Sequence, residues 1–298
     1  MSPARDGLAE PAPAKINLTL HCAAPRADGY HPLHSLVVFA DWRDTLRAEP
    51  ADTLSLSLEG PGADGLRDDP HNLVLKAAWA LRAAADKPEL GARLVLEKHL
   101  PVAAGLGGGS ADAAAALRLL NRLWSLDFSL KQLAEIASVV GADVPACVWS
   151  RPLVMEGIGE TITPLVAWPA LHGVIVHPGV ALSTADVFAA FDTQGPASKL
   201  AANALRPVAG TAEAAFGRIL EGRNDLESAA MSLAPPVGEV LKTLGRLPGA
   251  RLARMSGSGA SCFALFDNAG EAEAAADTLC AQQPGWLVRP VVFGGALS

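Results

Sequence analysis

Basic residues, aromatic rings and cysteines are all scarce in this sequence. Its 298 residues include 24 Lys and Arg against 31 Asp and Glu, for a formal charge of −7. No basic run offsets that balance. A phosphate backbone is held by clustered Lys and Arg, so nucleic acid is excluded as a partner. An anionic membrane surface is disfavoured for the same reason. Aromatics make up 5% of the chain, with a single tyrosine, Tyr30. The four cysteines, Cys22, Cys147, Cys262 and Cys280, form no C-x-x-C pair. That predicts reduced, buried thiols in a cytoplasmic protein. The first fifteen residues have no apolar stretch, which argues against a secretory signal. Residues 161–185 carry no charge, but Pro164, Pro169, Pro178, Gly173 and Gly179 interrupt them. A strand with flanking turns is predicted there, and no membrane span.

At about 150 residues per domain, the length suggests two domains. The boundary is placed near 163, giving 1–163 and 164–298. Alternation at Ile16, Leu18, Leu20 and Cys22 predicts a strand, with others at 34–41, 54–58 and 92–98. A helix is expected from Asn72. Another follows residue 110, with Leu117, Leu120 and Trp124 on one face. Ser129 and Gln132 form a capping box for a third helix, ended by Gly141. Pro145 suits the first turn of a fourth. In the second half, 173–177 is a strand, and helices follow Ser183, run through 211–221, and follow Asn224 and Pro236. The chain then reads β, β, α, β. Irregular alternation of this kind indicates an α+β fold.

Four glycines lie within residues 105–109, between a strand and a helix. Without Cβ atoms, backbone N–H groups there can approach an anion, and the following helix start adds partial positive charge. A flexible connector would have the same composition. The loop "GLGGGS" lacks the Gly-Lys-Ser/Thr ending of a Walker A motif and fails the strict dinucleotide spacing. No H-R-D or D-F-G motif occurs, which excludes a protein kinase.

The stretch from Pro101 to Ala115 does match P-x-x-x-G-L-G-G-G-S-x-D-A-A-A, and it resembles the phosphate loop of the GHMP kinase superfamily. "PAKINLTLHC" at 13–22 is similar to that superfamily's first motif. "MSGSGASCFALF" at 255–266 is similar to its third, a glycine turn packed on the loop. Further marks are R-x-D-G-Y-H at 26–31, "DWRD" at 41–44, "GADVP" at 141–145 and "RNDLE" at 223–227. Together they resemble the branch whose acceptor is a cytidine diphosphate-linked methylerythritol. Ala103–Ala104 departs from the pattern, since other members often carry glycine there.

The resemblance implies a two-domain GHMP kinase fold, with an N-terminal domain like domain 2 of ribosomal protein S5 and a ferredoxin-like C-terminal domain. It implies ATP and Mg²⁺ as cofactors, and a small cytidine diphosphate-linked substrate acted on by a monomer or homodimer. Asp143 aligns with the catalytic base and Lys15 with a charge-stabilising lysine. Gly105, Leu106, Gly107, Gly108, Gly109 and Ser110 align with the phosphate cradle. Ser110 is a candidate Mg²⁺ contact, and Asp112 a contributor through water. Asn72 and Lys98 align with nucleotide contacts. Asn17, Tyr30, His31, Thr184 and Phe188 align with substrate contacts, Tyr30 and His31 recognising the base. Locally, Asp143 and Asn72 also read as helix caps, Lys98 as a solvated strand end, and Phe188 as helix core. Alternative functions are another GHMP kinase, of the mevalonate or homoserine type, or an inactive binding protein of this fold. Tyr30 and His31 weigh against the first, because those acceptors carry no nucleobase. Lys15, Asp143 and the intact loop weigh against the second.

Overall fold

The computed structural model describes residues 8–294, except 65, 67, 69, 196–199 and 201–210. The first half of the chain runs β1 (Leu8–Cys22), β2 (Leu33–Ala51), β3 (Leu54–Glu59), α1 (Leu73–Ala84), β4 (Gly91–Glu97), α2 (Gly108–Leu123), α3 (Leu130–Ala137), α4 (Val144–Trp149), β5 (Leu153–Gly157) and β6 (Thr161–Pro164). It continues with β7 (Leu171–His177), α5 (Thr184–Thr193), α6 (Ala212–Glu221), α7 (Glu227–Leu233), α8 (Pro235–Leu244), β8 (Leu252–Met255), β9 (Cys262–Phe266), α9 (Ala269–Gln282) and β10 (Leu287–Phe293). The described residues form two compact units that interleave along the chain. One lies within Met1–Ala14, Trp42–Val102 and Gly107–Ser150. The other lies within Lys15–Asp41, Ala103–Leu106 and Arg151–Ser298. The glycine loop is therefore one of the places where the backbone passes from one unit to the other.

In the first unit, β3 pairs parallel with β4, and β4 pairs antiparallel with the second half of β2, Leu46 opposite Leu96. Helices α1, α2, α3 and α4 pack on one another. Each has a local cause. Asn72 caps α1 by accepting from Val74 N at 2.9 Å. The Ser129–Gln132 capping box opens α3 as expected. That helix ends at Ala137, and a tightened turn carries the chain to the expected stop at Gly141: Ser138 N and Val140 N donate three residues back, to Glu135 O and Ala137 O, and Gly141 N donates to Ala137 O. Helix α2 is made of strong helix formers, Ala and Leu. It is buried along Ala111–Leu117, Leu119 and Leu120. Burying each of those leucines contributes about 1.5–3 kcal/mol. Arg118 fastens α2 to β1 and α4, donating to Glu10 Oε1 at 2.5 Å, Pro11 O at 2.9 Å and Cys147 O at 2.8 Å.

In the second unit, β10, β7, β9 and β8 form an antiparallel sheet in that spatial order, with Val291 opposite Gly173 and Val174 opposite Ala264. Helices α8 and α9 pack on this sheet. The core joins Val174, Val176, Val187, Leu226, Val237, Val240, Phe266 and Leu279. An antiparallel sheet carrying segregated helices is an α+β architecture, as expected. Gly173 is required: a Cβ there would lie 2.3 Å from Ala264 O and 2.5 Å from the Phe293 ring. Three thiols, Cys22, Cys147 and Cys262, are buried, but Cys280 is exposed, contrary to the expectation for all four. Burial pushes the Cys22 thiol up to about 12, the Asp225 charge adding to it. Among the described residues no helix is long and apolar enough to cross a membrane.

Candidate active site

The expected site residues divide between the units. Asn72, Lys98, Gly107–Ser110 and Asp143 belong to the first. Lys15, Asn17, Tyr30, His31, Gly105, Leu106, Thr184 and Phe188 belong to the second.

In the first unit, helix α2 starts without a side-chain cap. Gly107 holds the N-cap position at φ 61°, a left-handed conformation natural to glycine. The N–H groups of the first turn are thus not bound by a capping side chain, which is the arrangement that favours an anion. Ser110 follows in that turn, half-buried. A Cβ on Gly109 would sit 3.5 Å from Leu73 Cδ1, so the start of α1, capped by Asn72, lies against the start of α2.

Lys98 is not the solvated strand end that its local sequence suggested; it is 2% exposed. Its Nζ donates to Asp112 Oδ2 at 2.8 Å and to Asp44 Oδ2. It also lies 3.1 Å from where a Cβ on Gly108 would be, directly behind the first turn of α2. Asp44 accepts in addition from His99 N at 2.5 Å and Leu100 N at 2.8 Å. Two carboxyls and one ammonium are thus enclosed together, and the low-charge state ionises only one carboxyl. Asp44, with three donors, suits the charged role. Asp112 has Lys98 alone, and its Oδ1 is buried without a partner. Burial, opposed by Lys98 and reinforced by Asp44, pushes the Asp112 carboxyl up to about 8. Burial opposes charge on Lys98 too, but Asp112 and Asp44 outweigh it and hold the ammonium above the usual lysine range. Asp112 is therefore engaged inside the unit and not turned towards solvent.

Asp143 occupies the N-cap position of α4, and Pro145 lies in the first turn as expected. The Asp143 side chain makes no capping hydrogen bond. The local reading of this residue as a cap is thus right in position and wrong in chemistry.

The second unit brings three separated stretches together. Lys15 N donates to Leu106 O at 2.8 Å. Asn17 N donates to Ser256 Oγ at 3.2 Å, and Ser256 Oγ donates to Gly105 O at 3.3 Å. Ser261 N donates to Ala104 O at 3.1 Å. The turn at 256–261 therefore packs on residues 104–106, and it does so too closely for side chains. Gly105 has φ 74°, and a Cβ there would lie 2.3 Å from Gly259 O. Ala103 adopts φ 54°, a left-handed conformation that costs a residue with a Cβ about 1–2 kcal/mol. This is the physical reason glycine suits that position. Asn224 holds the turn from the other side, donating Nδ2 to Met255 O and Gly257 O, both at 2.8 Å.

Lys15 and Asn17 are buried. Asn17 Nδ2 donates to Ser35 Oγ at 2.7 Å, and Ser35 Oγ donates to Thr19 O at 2.6 Å. This relay fixes the amide orientation and leaves Asn17 Oδ1 a buried acceptor with no partner. Buried acceptors without a partner are few in folded proteins. Thr184 Oγ1 lies 2.9 Å from Ser258 Oγ. Tyr30 is 58% exposed at a turn where Gly29 has φ 84°. The His31 and Phe188 rings meet at 4.6 Å between centroids, tilted by 33°. Phe188 is half-buried at the rim of the core, whereas its neighbours Val187 and Phe191 are in it. Two residues escaped sequence reasoning. Asp44 stood only as part of a motif, and its partner is 54 positions away. Asp192 bonds His31 Nε2 at 2.8 Å across 161 positions, and its one local signal is that it follows Phe188 by one helical turn.

A glycine loop leading into an uncapped helix, with a second glycine turn packed on it, is the arrangement expected of a small-molecule kinase of the GHMP class, and the family matches show that class. Residues 72–151 match the family described as GHMP kinases N terminal domain, and 204–285 match GHMP kinases C terminal. Within that class, the chain belongs to the 4-diphosphocytidyl-2-C-methyl-D-erythritol kinase family. It is 48% identical to the Rhodopseudomonas palustris protein of that name, over 98% of this chain and 99% of that one. It is 50% identical to the Methylorubrum extorquens protein, over 94% and 96%. A crystal structure of 4-(cytidine 5'-diphospho)-2C-methyl-D-erythritol kinase is similar at TM-score 0.77 and 33% identity, covering 97% of this chain and all of that one. Homoserine kinase from Cytophaga hutchinsonii shares the fold at TM-score 0.69 and 19% identity, over 98% of this chain and 96% of that one.

Proposed function

We propose that the chain transfers the γ-phosphoryl group of ATP to the 2-hydroxyl of 4-diphosphocytidyl-2-C-methyl-D-erythritol, a step of non-mevalonate isoprenoid synthesis. The observation that carries this reading is identity of 48–50% across nearly the full length of relatives bearing that name. We place the reaction in the cytoplasm, which suits three buried cysteines that form no disulfide.

Phosphoryl transfer asks mainly for positioning and charge stabilisation. In this reading the N–H groups of residues 105–110 cradle the nucleotide phosphates, and the macrodipole of α2 adds to the attraction. The buried Lys98 ammonium, already matched by Asp44 and Asp112, holds the floor under the same turn. Asn72 and Lys98 border the nucleotide end of the site. Asn17 Oδ1 accepts the hydrogen bond of the acceptor alcohol and orients it. Asp143 takes the alcohol proton as general base, the role that its place in "GADVP" implies by alignment. Lys15 supplies the cation that balances charge on the transferring group. Tyr30 stacks on the cytosine, His31 reads its edge, Phe188 borders the base, and Thr184 contacts the substrate.

Mg²⁺ held on the nucleotide would offset charge developing on the phosphate oxygens. Among the described residues no three His, Cys, Asp or Glu side chains gather to hold an ion alone. Ser110, in the first turn of α2, would be the protein's contact to an ion held mainly by phosphate oxygens and water.

The test is ADP release from Mg-ATP with a panel of acceptors. Turnover confined to the cytidine diphosphate-linked alcohol supports the assignment. Preference for mevalonate or homoserine would overturn it.

A further inference from the structure

We infer that Asp192 makes the enzyme select cytosine over uracil, by fixing the tautomer of His31. The inference rests on the proposed reading of the base edge by His31.

Helix α5 grips the His31 ring at two points one turn apart. Phe188 packs on the ring at 4.6 Å, and Asp192 Oδ1 lies 2.8 Å from Nε2. Phe191 adds a more distant ring contact at 6.0 Å. The His31 side chain is 10% exposed, so it is held and not free to swing. In a neutral imidazole one nitrogen donates and the other accepts. A carboxylate can only accept, so Nε2 carries the hydrogen and Nδ1 keeps its lone pair.

That lone pair has a definite preference. Cytosine offers an amino donor at position 4 of its ring, whereas uracil offers a carbonyl acceptor there. Nδ1 as acceptor takes a hydrogen from the first and faces a second lone pair in the other. Rejection of an analogue that leaves buried polar groups unpaired is the stronger form of discrimination. Asp192 does not itself have to touch the base; it is a positioning residue acting through His31.

The experiment compares binding of CDP and UDP by calorimetry, for the wild-type chain and for Asp192→Ala and Asp192→Asn, at pH about 8.5, where an ordinary histidine is neutral. Nitrogen NMR of the histidine ring reads the tautomer in parallel. The wild type is expected to bind CDP more tightly and to show His31 protonated on Nε2. In Asp192→Ala the ratio of CDP to UDP affinity should fall by about tenfold, the worth of one buried hydrogen bond to a polar edge. The Nδ1–H form should rise with it. Asp192→Asn fills the same space and offers both a donor and an acceptor, so its ratio should also fall; it carries the test if the alanine variant does not fold. Equal weakening of both nucleotides, with the ratio and tautomer unchanged, would show a merely structural role and overturn the inference. A wild type that does not distinguish CDP from UDP would instead overturn the reading of His31 as the base-edge reader.

Discussion

Replacing Lys98 with methionine isolates the buried triad behind the phosphate loop. The side chain keeps a similar length and stays apolar, so packing is largely retained. What is lost is the ammonium that Asp44 and Asp112 share. Removing one partner of a buried ion pair costs about 3–5 kcal/mol, because the other charge is left uncompensated. The structure allows a sharper bound. Asp112 already favours its protonated form at neutral pH, so its ionisation adds little to the penalty. Asp44 remains, fully enclosed. An enclosed carboxylate with no counter-charge can always take up a proton. For an ordinary Asp carboxyl that step takes about 4 kcal/mol at pH 7 and about 1.5 kcal/mol at pH 5. The loss of stability in Lys98→Met should therefore be near 4 kcal/mol at pH 7 and shrink by about 2–3 kcal/mol at pH 5.

The sign follows from linkage. A carboxyl whose folded pKa is raised contributes stability that is complete below its unfolded value and lost as pH rises through the folded one. Asp112 already behaves so in the wild type, between about pH 4 and 8. The variant adds a second group with the same sign. Urea unfolding followed by tryptophan fluorescence at pH 5, 6 and 7 measures the difference; Trp79 and Trp124 lie in this unit. A deficit that does not change with pH, or one below 1 kcal/mol at pH 7, would refute the charge argument.

Asp143→Ala should abolish phosphoryl transfer while nucleotide binding persists, and near-normal turnover would remove Asp143 from the base role. Its helix should lose less than the roughly 1 kcal/mol of a broken cap, since no capping bond exists to lose. Arg254→Ala should destabilise the second unit by about 3–5 kcal/mol, read by denaturant titration. The guanidinium serves Leu18 O at 2.7 Å, Ile219 O at 3.0 Å and Gly222 O at 2.6 Å, and all three would lose a buried donor. Ala103→Gly should raise stability by up to about 1 kcal/mol, because relief of left-handed strain exceeds the added freedom of the unfolded chain. A net loss would mean that the φ of 54° is not strained in solution.

What could be read from the sequence was local, and what could not be read was set by partners far along the chain. The Ser129–Gln132 box and the Asn72 cap are complete within four residues, so sequence and structure agree on them. The glycine loop was legible for the same reason. Strand β2 shows the limit. Its apolar run ends near Asp41, yet the strand continues to Ala51 because Thr45–Ala51 pairs with Gly91–Glu97. Leu46 and Ala48 alternate with Thr45, Arg47 and Glu49 along that half, so the period was present beneath the charges. Strand β5, five residues long, went unnoticed because its support comes from Leu33–Val37 on β2. Lys98 is the most instructive case. Alone it reads as a surface lysine, since burying an unpaired ammonium is prohibitively costly. Two carboxyl groups from 54 and 14 positions away reverse that cost. The −7 charge of the whole chain says nothing about this place. The partial positive charge at the glycine loop is a property of one helix's uncapped first turn. It depends on a fold that only long-range contacts supply.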